Sequence, residues 1–345
     1  MSITTLNTDA RRFVPSGRTL KMAAGALLTI VIALADPREF AEALRFAAIS
    51  LLVISPVVLF GLVLTAAITA SGSMALIAAA FRGNEMPMVV LASFIGALTP
   101  VCGVTVLPLV AGLLAGGVPF APIMAFWLSS PVTDPGMLAV TAGMLGLPFA
   151  IGKTAAAFGA GIFGGAVCWL LARAGRLGAP ARLDMARKLS GSRCGSCVSE
   201  ILHWKFWEEA ERRAVFSSVC RANGMLMIGW LLFAFTAEHY LRKLLPAEVL
   251  STYVGVDSDF AVPLAAVVGA PIYLDGYAAL PLLRGLLENG MAPGPAMTFL
   301  IAGGIISAWA VLPVLALVRL PAFSLYVLLA ISSSMLAGWT FAFMV

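Results

Sequence analysis

The chain has 345 residues, 61% of them hydrophobic and 11% charged, with a formal charge of +5. No soluble protein of this length could cover so much apolar surface with polar groups, so the composition excludes a soluble enzyme or binding domain. The long unbroken apolar runs also exclude the alternating pattern of a β-barrel, leaving an all-α polytopic membrane protein.

The N-terminal stretch combines a basic flank, a short apolar core and the small-residue pattern Ala33-Leu34-Ala35, which is also the pattern of a signal peptide. Cleaved or not, residue 36 emerges on the outer side. A crossing needs about 20 apolar residues, and on that yardstick the sequence predicts crossings near 20–36, 45–69, 120–142, 148–172, 214–236, 294–317 and 321–344. The stretch 70–81 reads as interfacial. Two apolar segments, 87–115 and 260–287, are interrupted by glycine and proline and read as hairpins that enter and leave by one face. The organisation expected is therefore 1–86 as N-terminal transmembrane helices, 87–172 as a first repeat and 173–213 as a basic cytoplasmic loop. Residues 214–259 form a linking helix and outer segment, and 260–345 a second repeat.

Basic residues set the orientation. Arg11, Arg12, Arg18 and Lys21 in the tail, and nine lysines and arginines between Arg173 and Arg213, both belong in the cytoplasm. That holds when 87–115 re-enters, because four crossings then separate the two basic regions. The rival is a second short crossing including 70–81, with 87–115 spanning. Lys153, Arg221 and Arg284 near segment ends read as snorkelling side chains.

A shift of 173 residues aligns "GALTPVCGVTVLPLVAGLLAGGVPFAPIMAF" (96–126) with "GAPIYLDGYAALPLLRGLLENGMAPGPAMTF" (269–299). Gly96/Gly269, Gly103/Gly276, Pro108/Pro281, Gly112/Gly285, Gly117/Gly290, Pro122/Pro295 and Phe126/Phe299 coincide, and the register persists to Pro148/Pro321. Coincident prolines and glycines mark an internal repeat. With a re-entrant first copy the two are inverted, each a broken hairpin followed by two transmembrane helices, which is an architecture of secondary transporters. Breaks at Pro100 and Gly103 free backbone groups that must face protein, water or solute, and a half-helix starting there turns its positive end to the tip.

Asp134, in "SSPVTDPG", and Asp275, in "PIYLDGY", are acids set deep in apolar segments. A carboxylate there costs about 2.5 to 3.5 kcal/mol, so it serves ion, proton or substrate passage, or caps a broken helix end. Cys102 falls opposite Asp275 in the repeat register, and Tyr273 and Tyr277 flank that carboxylate. The loop pair Cys194 and Cys197, with His203 downstream, could chelate a soft metal or arsenical, or cycle as a dithiol, or have no task. A structural zinc lacks ligands, all five cysteines are expected to be reduced, and neither a resident metal nor a cofactor is expected. No phosphate-binding loop, dinucleotide fingerprint or zinc-protease motif is present, so neither an ATP pump nor an enzyme is indicated.

These residues resemble the predicted permeases of the YraQ/ArsP type, whose characterised branch exports trivalent organoarsenicals. Pro100, Cys102, Pro108 and Leu109 fall into the spacing of the first-half signature; Ser130, Pro131 and Pro135 match the Ser-x-Pro-x-x-Asn-Pro run, with Asp134 in the asparagine place; Gly269, Pro271 and Tyr273 match the second-half motif. Gly103 and Val104 stand where that signature has serine and a second cysteine, so a two-thiol clamp is missing from the tip.

The resemblance implies an inner-membrane permease for a small thiol-reactive solute. Its pathway is expected at Pro100, Cys102, Gly103, Ser130, Pro131, Asp134, Pro271, Tyr273, Asp275 and Gly276, with Cys194 and Cys197 as a thiol relay. The expected partners are a small-molecule substrate, the lipid bilayer and a coupled proton, with no nucleic acid, and a homodimer stays open. A permease for a small sulfur-containing anion, a CxxC-dependent membrane redox partner and a membrane anchor are the alternatives.

Overall fold

The computed structural model describes residues 36–72, 85–99, 106–133, 135–177, 205–244, 260–270, 276–288, 290–306, 314, 315 and 317–345. These form eleven helices and, among the described residues, no strand. The first six are α1 (Pro37–Ala70), α2 (Glu85–Leu98), α3 (Val106–Ala115), α4 (Phe120–Ser129), α5 (Pro135–Leu145) and α6 (Leu147–Arg173). The other five are α7 (Ala210–Leu244), α8 (Ala261–Gly269), α9 (Gly276–Glu288), α10 (Pro293–Ile305) and α11 (Leu320–Ala342). Among the described residues, three stretches are long and apolar enough to cross a membrane: α6, the Ala210–Phe233 part of α7, and α11. The remaining short apolar helices reach only part way. At 1.5 Å per residue, the 14 residues of α2 extend about 21 Å and the 10 of α3 about 15 Å, against a hydrocarbon core of about 30 Å.

The 120–142 segment is not the continuous crossing that its hydropathy predicts. It is divided into α4 and α5, with Ser130, Pro131, Val132 and Thr133 between them. Pro131 and Pro135 lack an N–H to donate back along a helix, so neither can continue one. The 294–317 segment likewise holds only α10 before Ile306 takes an extended conformation (φ −104°, ψ 113°).

Local geometry recurs at the 173-residue offset. Gly117 ends α3 with φ +78°, and Gly290 follows α9 with φ +94°, a left-handed conformation open to glycine. Each closes its helix with the same pair of bonds: Gly117 N–H to the Leu114 carbonyl and Val118 N–H to that of Leu113, then Gly290 to Leu287 and Met291 to Leu286. This is the Schellman ending. The starts of α4 and α10, and those of α6 and α11, also differ by that offset, and Pro148 and Pro321 occupy the first turns of the latter two.

One large core joins α2 to α6 with α8 to α11. Within it α6 and α11 run antiparallel. Phe149, near the start of α6, packs its ring 4.8 Å from that of Phe341, near the end of α11, and Gly152 lies against Phe341 while Gly164, further along α6, faces Leu329. Gly165 of α6 is pressed to the Ala121 carbonyl, and Gly338 of α11 to the Gly294 carbonyl, so the same close approach joins α6 to α4 and α11 to α10.

A second core pairs α1 with α7 through Ala47, Val58, Leu62, Met227, Leu231 and Phe235. This pair is antiparallel too. At one end the His239 ring nitrogen Nε2 lies 2.7 Å from Glu39 Oε1, beside Glu42; at the other, Arg212 Nη1 donates to the Ala70 carbonyl at 3.0 Å, capping α1. Arg212 is 2% exposed and also meets Glu209 at 2.6 Å.

Lys153, expected to snorkel, is instead buried (3% exposed) in α6. The neighbouring Gly152 shows why: Phe341 of α11 and Met297 of α10 close over this turn. Arg284 is exposed and bonds Glu288 at 3.0 Å, as a surface cation does.

Candidate functional site

Sequence expectation centres the pathway on the interruptions between helices, and the described residues show what surrounds them. The end of α2 is set against α4 at Gly96. A Cβ there would stand 2.9 Å from the Phe126 carbonyl oxygen and 3.3 Å from the Phe126 Cα, and would strike the Ser129 hydroxyl. The end of α8 is set against α10 in the same way, since a Cβ on Gly269 would stand 2.9 Å from the Phe299 carbonyl oxygen and 3.2 Å from its Cα. Gly96 and Gly269, like Phe126 and Phe299, are a repeat pair. Only glycine brings these backbones so close.

The C-terminal ends of α4 and α10 meet each other. Gly304 faces the Pro131 carbonyl and the Val132 Cα, each 3.6 Å from where its Cβ would lie, and 131 and 304 are again one repeat offset apart. A local two-fold axis would bring a position against its own repeat mate in this way. Tyr326 of α11 ties the junction together: its hydroxyl donates to the Ile305 carbonyl at 2.6 Å, and its ring lies 5.1 Å from Trp127 of α4. Tyr326 was absent from the sequence-predicted pathway. Its signal was a phenol within an otherwise apolar crossing, where a buried hydroxyl needs a partner.

The junction is polar within an apolar core. Ser129, Ser130 and Thr133 are buried there; Ser129 donates back to the Ala125 and Phe126 carbonyls at 2.9 and 3.2 Å, as a hydroxyl late in a helix does. Ser130 is 2% exposed and its Oγ has no hydrogen-bond partner among the described residues; the same holds for Thr141 Oγ1 on α5. Helix direction supplies the electrostatics, since α4 and α10 bring their partially negative ends to the junction, and α9, whose first residue is Gly276, packs along α5.

Of the expected pathway residues, Ser130, Pro131 and Gly276 are described, and Ser130 and Pro131 sit together at the α4–α10 junction. Pro100, Cys102, Gly103, Asp134, Pro271, Tyr273 and Asp275, and the Cys194 and Cys197 pair, lie outside the described residues. Cys168 and Cys220 carry free thiols.

Comparisons with known proteins identify the family. A family model described as a predicted permease matches residues 39–276 and 225–345. The UPF0718 protein MJ0584 of Methanocaldococcus jannaschii is 35% identical over 74 residues, which is 21% of this chain, and the match spans about a fifth (20%) of that relative's length. No solved structure matches. A permease is a membrane transporter for a small molecule rather than an enzyme, and the apolar helices agree with a multi-pass membrane protein. With the family model covering nearly the whole chain from residue 39 onward, the chain belongs to the predicted permease family.

Proposed function

We propose that the chain is a secondary transporter of the inner membrane, N-terminus cytoplasmic, that moves a small thiol-reactive solute by alternating access, with trivalent organoarsenicals as the favoured cargo. The observation that carries this reading is the meeting of repeat-equivalent backbone at Pro131 and Gly304, between helices that stop inside an apolar core. Inverted repeats with interrupted helices facing a shared midplane site are a transporter architecture. The antiparallel run of the repeat-equivalent helices α6 and α11 supports inversion. So does the α1–α7 pair, whose bounds start at 37 and 210, one offset apart, and which is also antiparallel. On this reading each copy begins one helix earlier than the aligned motifs suggest, and the 87–115 and 260–287 segments are re-entrant hairpins opening to opposite faces.

In the pathway, Cys102 offers the thiol for a soft solute, Asp275 and Asp134 exchange the coupling proton, Tyr273 donates hydrogen bonds, and Pro100, Gly103, Pro271 and Gly276 set the breaks. Cys194 and Cys197 hand thiol-bound cargo to the tip. A small sulfur-containing anion is the second reading, favoured by the single thiol left by Gly103 and Val104.

The test is accumulation of trivalent methylarsenite in arsenic-sensitive cells carrying the wild-type chain, Cys102→Ser or an empty vector. Lower accumulation with wild type, restored to the empty-vector level by Cys102→Ser, is expected. Equal accumulation in all three, with the protein present in the membrane, rejects the arsenical cargo and favours the sulfur anion.

A further inference from the structure

Among the described residues, the α4–α10 junction is rich in acceptors and poor in donors. A helix leaves its last four carbonyls without intrahelical partners. At the end of α4 the nearest donors are used one turn back: the Ser130 N–H goes to the Phe126 carbonyl at 3.0 Å, the Ser129 hydroxyl goes to those of Ala125 and Phe126, and Pro131 has no N–H. At the end of α10 the Ile306 N–H returns to the Ala302 carbonyl at 2.8 Å, while Tyr326 takes that of Ile305. Two negative helix ends therefore converge at Pro131 and Gly304. The buried Ser130 hydroxyl, unpartnered among the described residues, adds an oxygen with lone pairs to spare.

We propose that this junction binds a sodium ion through the terminal carbonyl oxygens of α4 and α10 and the Ser130 hydroxyl, and that sodium is a coupling cation of the permease beside the proton handled by the aspartates. The inference rests on the permease reading and deepens it. Neutral oxygen donors suit a hard cation and give no foothold to a thiophilic metal. Two convergent helix C-termini attract a cation and repel an anion, which suits this junction to a cation.

The experiment uses the purified full chain in lipid nanodiscs and measures binding of radioactive sodium in competition with unlabelled sodium, potassium or choline. Exchange of methylarsenite and of thiosulfate, as the sulfur anion, is measured on the same protein in proteoliposomes. Saturable binding displaced by sodium and not by choline is expected, weakened about tenfold in Ser130→Ala by loss of one ligand. Ser332→Ala, a half-buried serine bonded to the Leu328 carbonyl of its own helix, is expected to bind as wild type does. Exchange without saturable sodium binding, or Ser130→Ala binding sodium as tightly as wild type, overturns the sodium site and leaves the permease reading standing. Sodium binding without exchange of methylarsenite or a sulfur anion overturns the permease reading and with it the coupling role.

Discussion

Valine in place of Gly96 or of Gly269 is expected to abolish transport, and the two variants should behave alike. Each new Cβ would stand 2.9 Å from a carbonyl oxygen in a neighbouring helix, at Phe126 or at Phe299, closer than real Cβ atoms come, and a tight 3.2 to 3.3 Å from that residue's Cα. The obstacle is backbone within α4 or α10, which cannot rotate aside as a side-chain tip can. Relief requires α2 or α8 to back away, and the adjoining hairpin break moves with it. Overpacking of this kind costs about 1 to 3 kcal/mol, enough to shift a conformational equilibrium by roughly 5-fold to more than 100-fold. Gly159→Ala is the matched control, because nothing lies within 4 Å of its Cβ position. The measurement is initial transport rate normalised to protein in the membrane. Near-normal rates in both valine variants would contradict the packing at the junction.

The second large effect is expected at the acidic residues. Asp275→Asn should lower gradient-driven transport at least about tenfold, the size of a typical general acid–base contribution at its lower end or below, while the variant inserts at least as well as wild type. Asparagine spares the charge its cost in hydrocarbon, about 2.5 to 3.5 kcal/mol for a carboxylate at the centre of a helix. It also caps a helix start as well as aspartate does. A carboxylate that only capped the broken helix would therefore be replaced without loss, whereas one that carries a proton would not. Transport by Asp275→Asn that equals wild type, and that survives collapse of the pH gradient, would remove proton coupling from the account. Asp134→Asn is read by the same measurement.

Part of this architecture is legible in the sequence because some residues are fixed by backbone geometry. Gly117 and Gly290 must adopt positive φ, Gly96 and Gly269 must admit a neighbouring backbone, and Pro148 and Pro321 start helices. These positions carry the 173-residue register, and α6 and α11 begin within one residue of the predicted crossings. The division of 120–142 was not legible to hydropathy, because Ser130 and Thr133 are few and small among apolar neighbours; the prolines at 131 and 135 were the available signal. The 173-residue offset between the starts of α1 and α7 was hidden for another reason. A helix that needs only apolar bulk admits many sequences, and Glu39 and Arg212 occupy the same repeat position with opposite charges. Each nevertheless serves at one end of the pair, Glu39 with His239 and Arg212 on the Ala70 carbonyl. Lys153 shows the limit of segment-end reasoning: distance to the helix end suggests snorkelling, while the packing of Phe341 and Met297 over the adjoining turn decides burial.

The central claim is that two inverted copies open broken hairpins to opposite faces of one membrane. Gly116 and Asn289 are a repeat pair, next in the chain after Ala115 of α3 and Glu288 of α9. In a chain whose five native cysteines are replaced by serine or alanine, Gly116→Cys and Asn289→Cys are labelled in intact cells with a membrane-impermeant maleimide, before and after permeabilisation. The account predicts that Asn289→Cys reacts in intact cells and Gly116→Cys only after permeabilisation. Reaction of both from the same side would contradict it, and would mean parallel copies with 87–115 spanning the membrane.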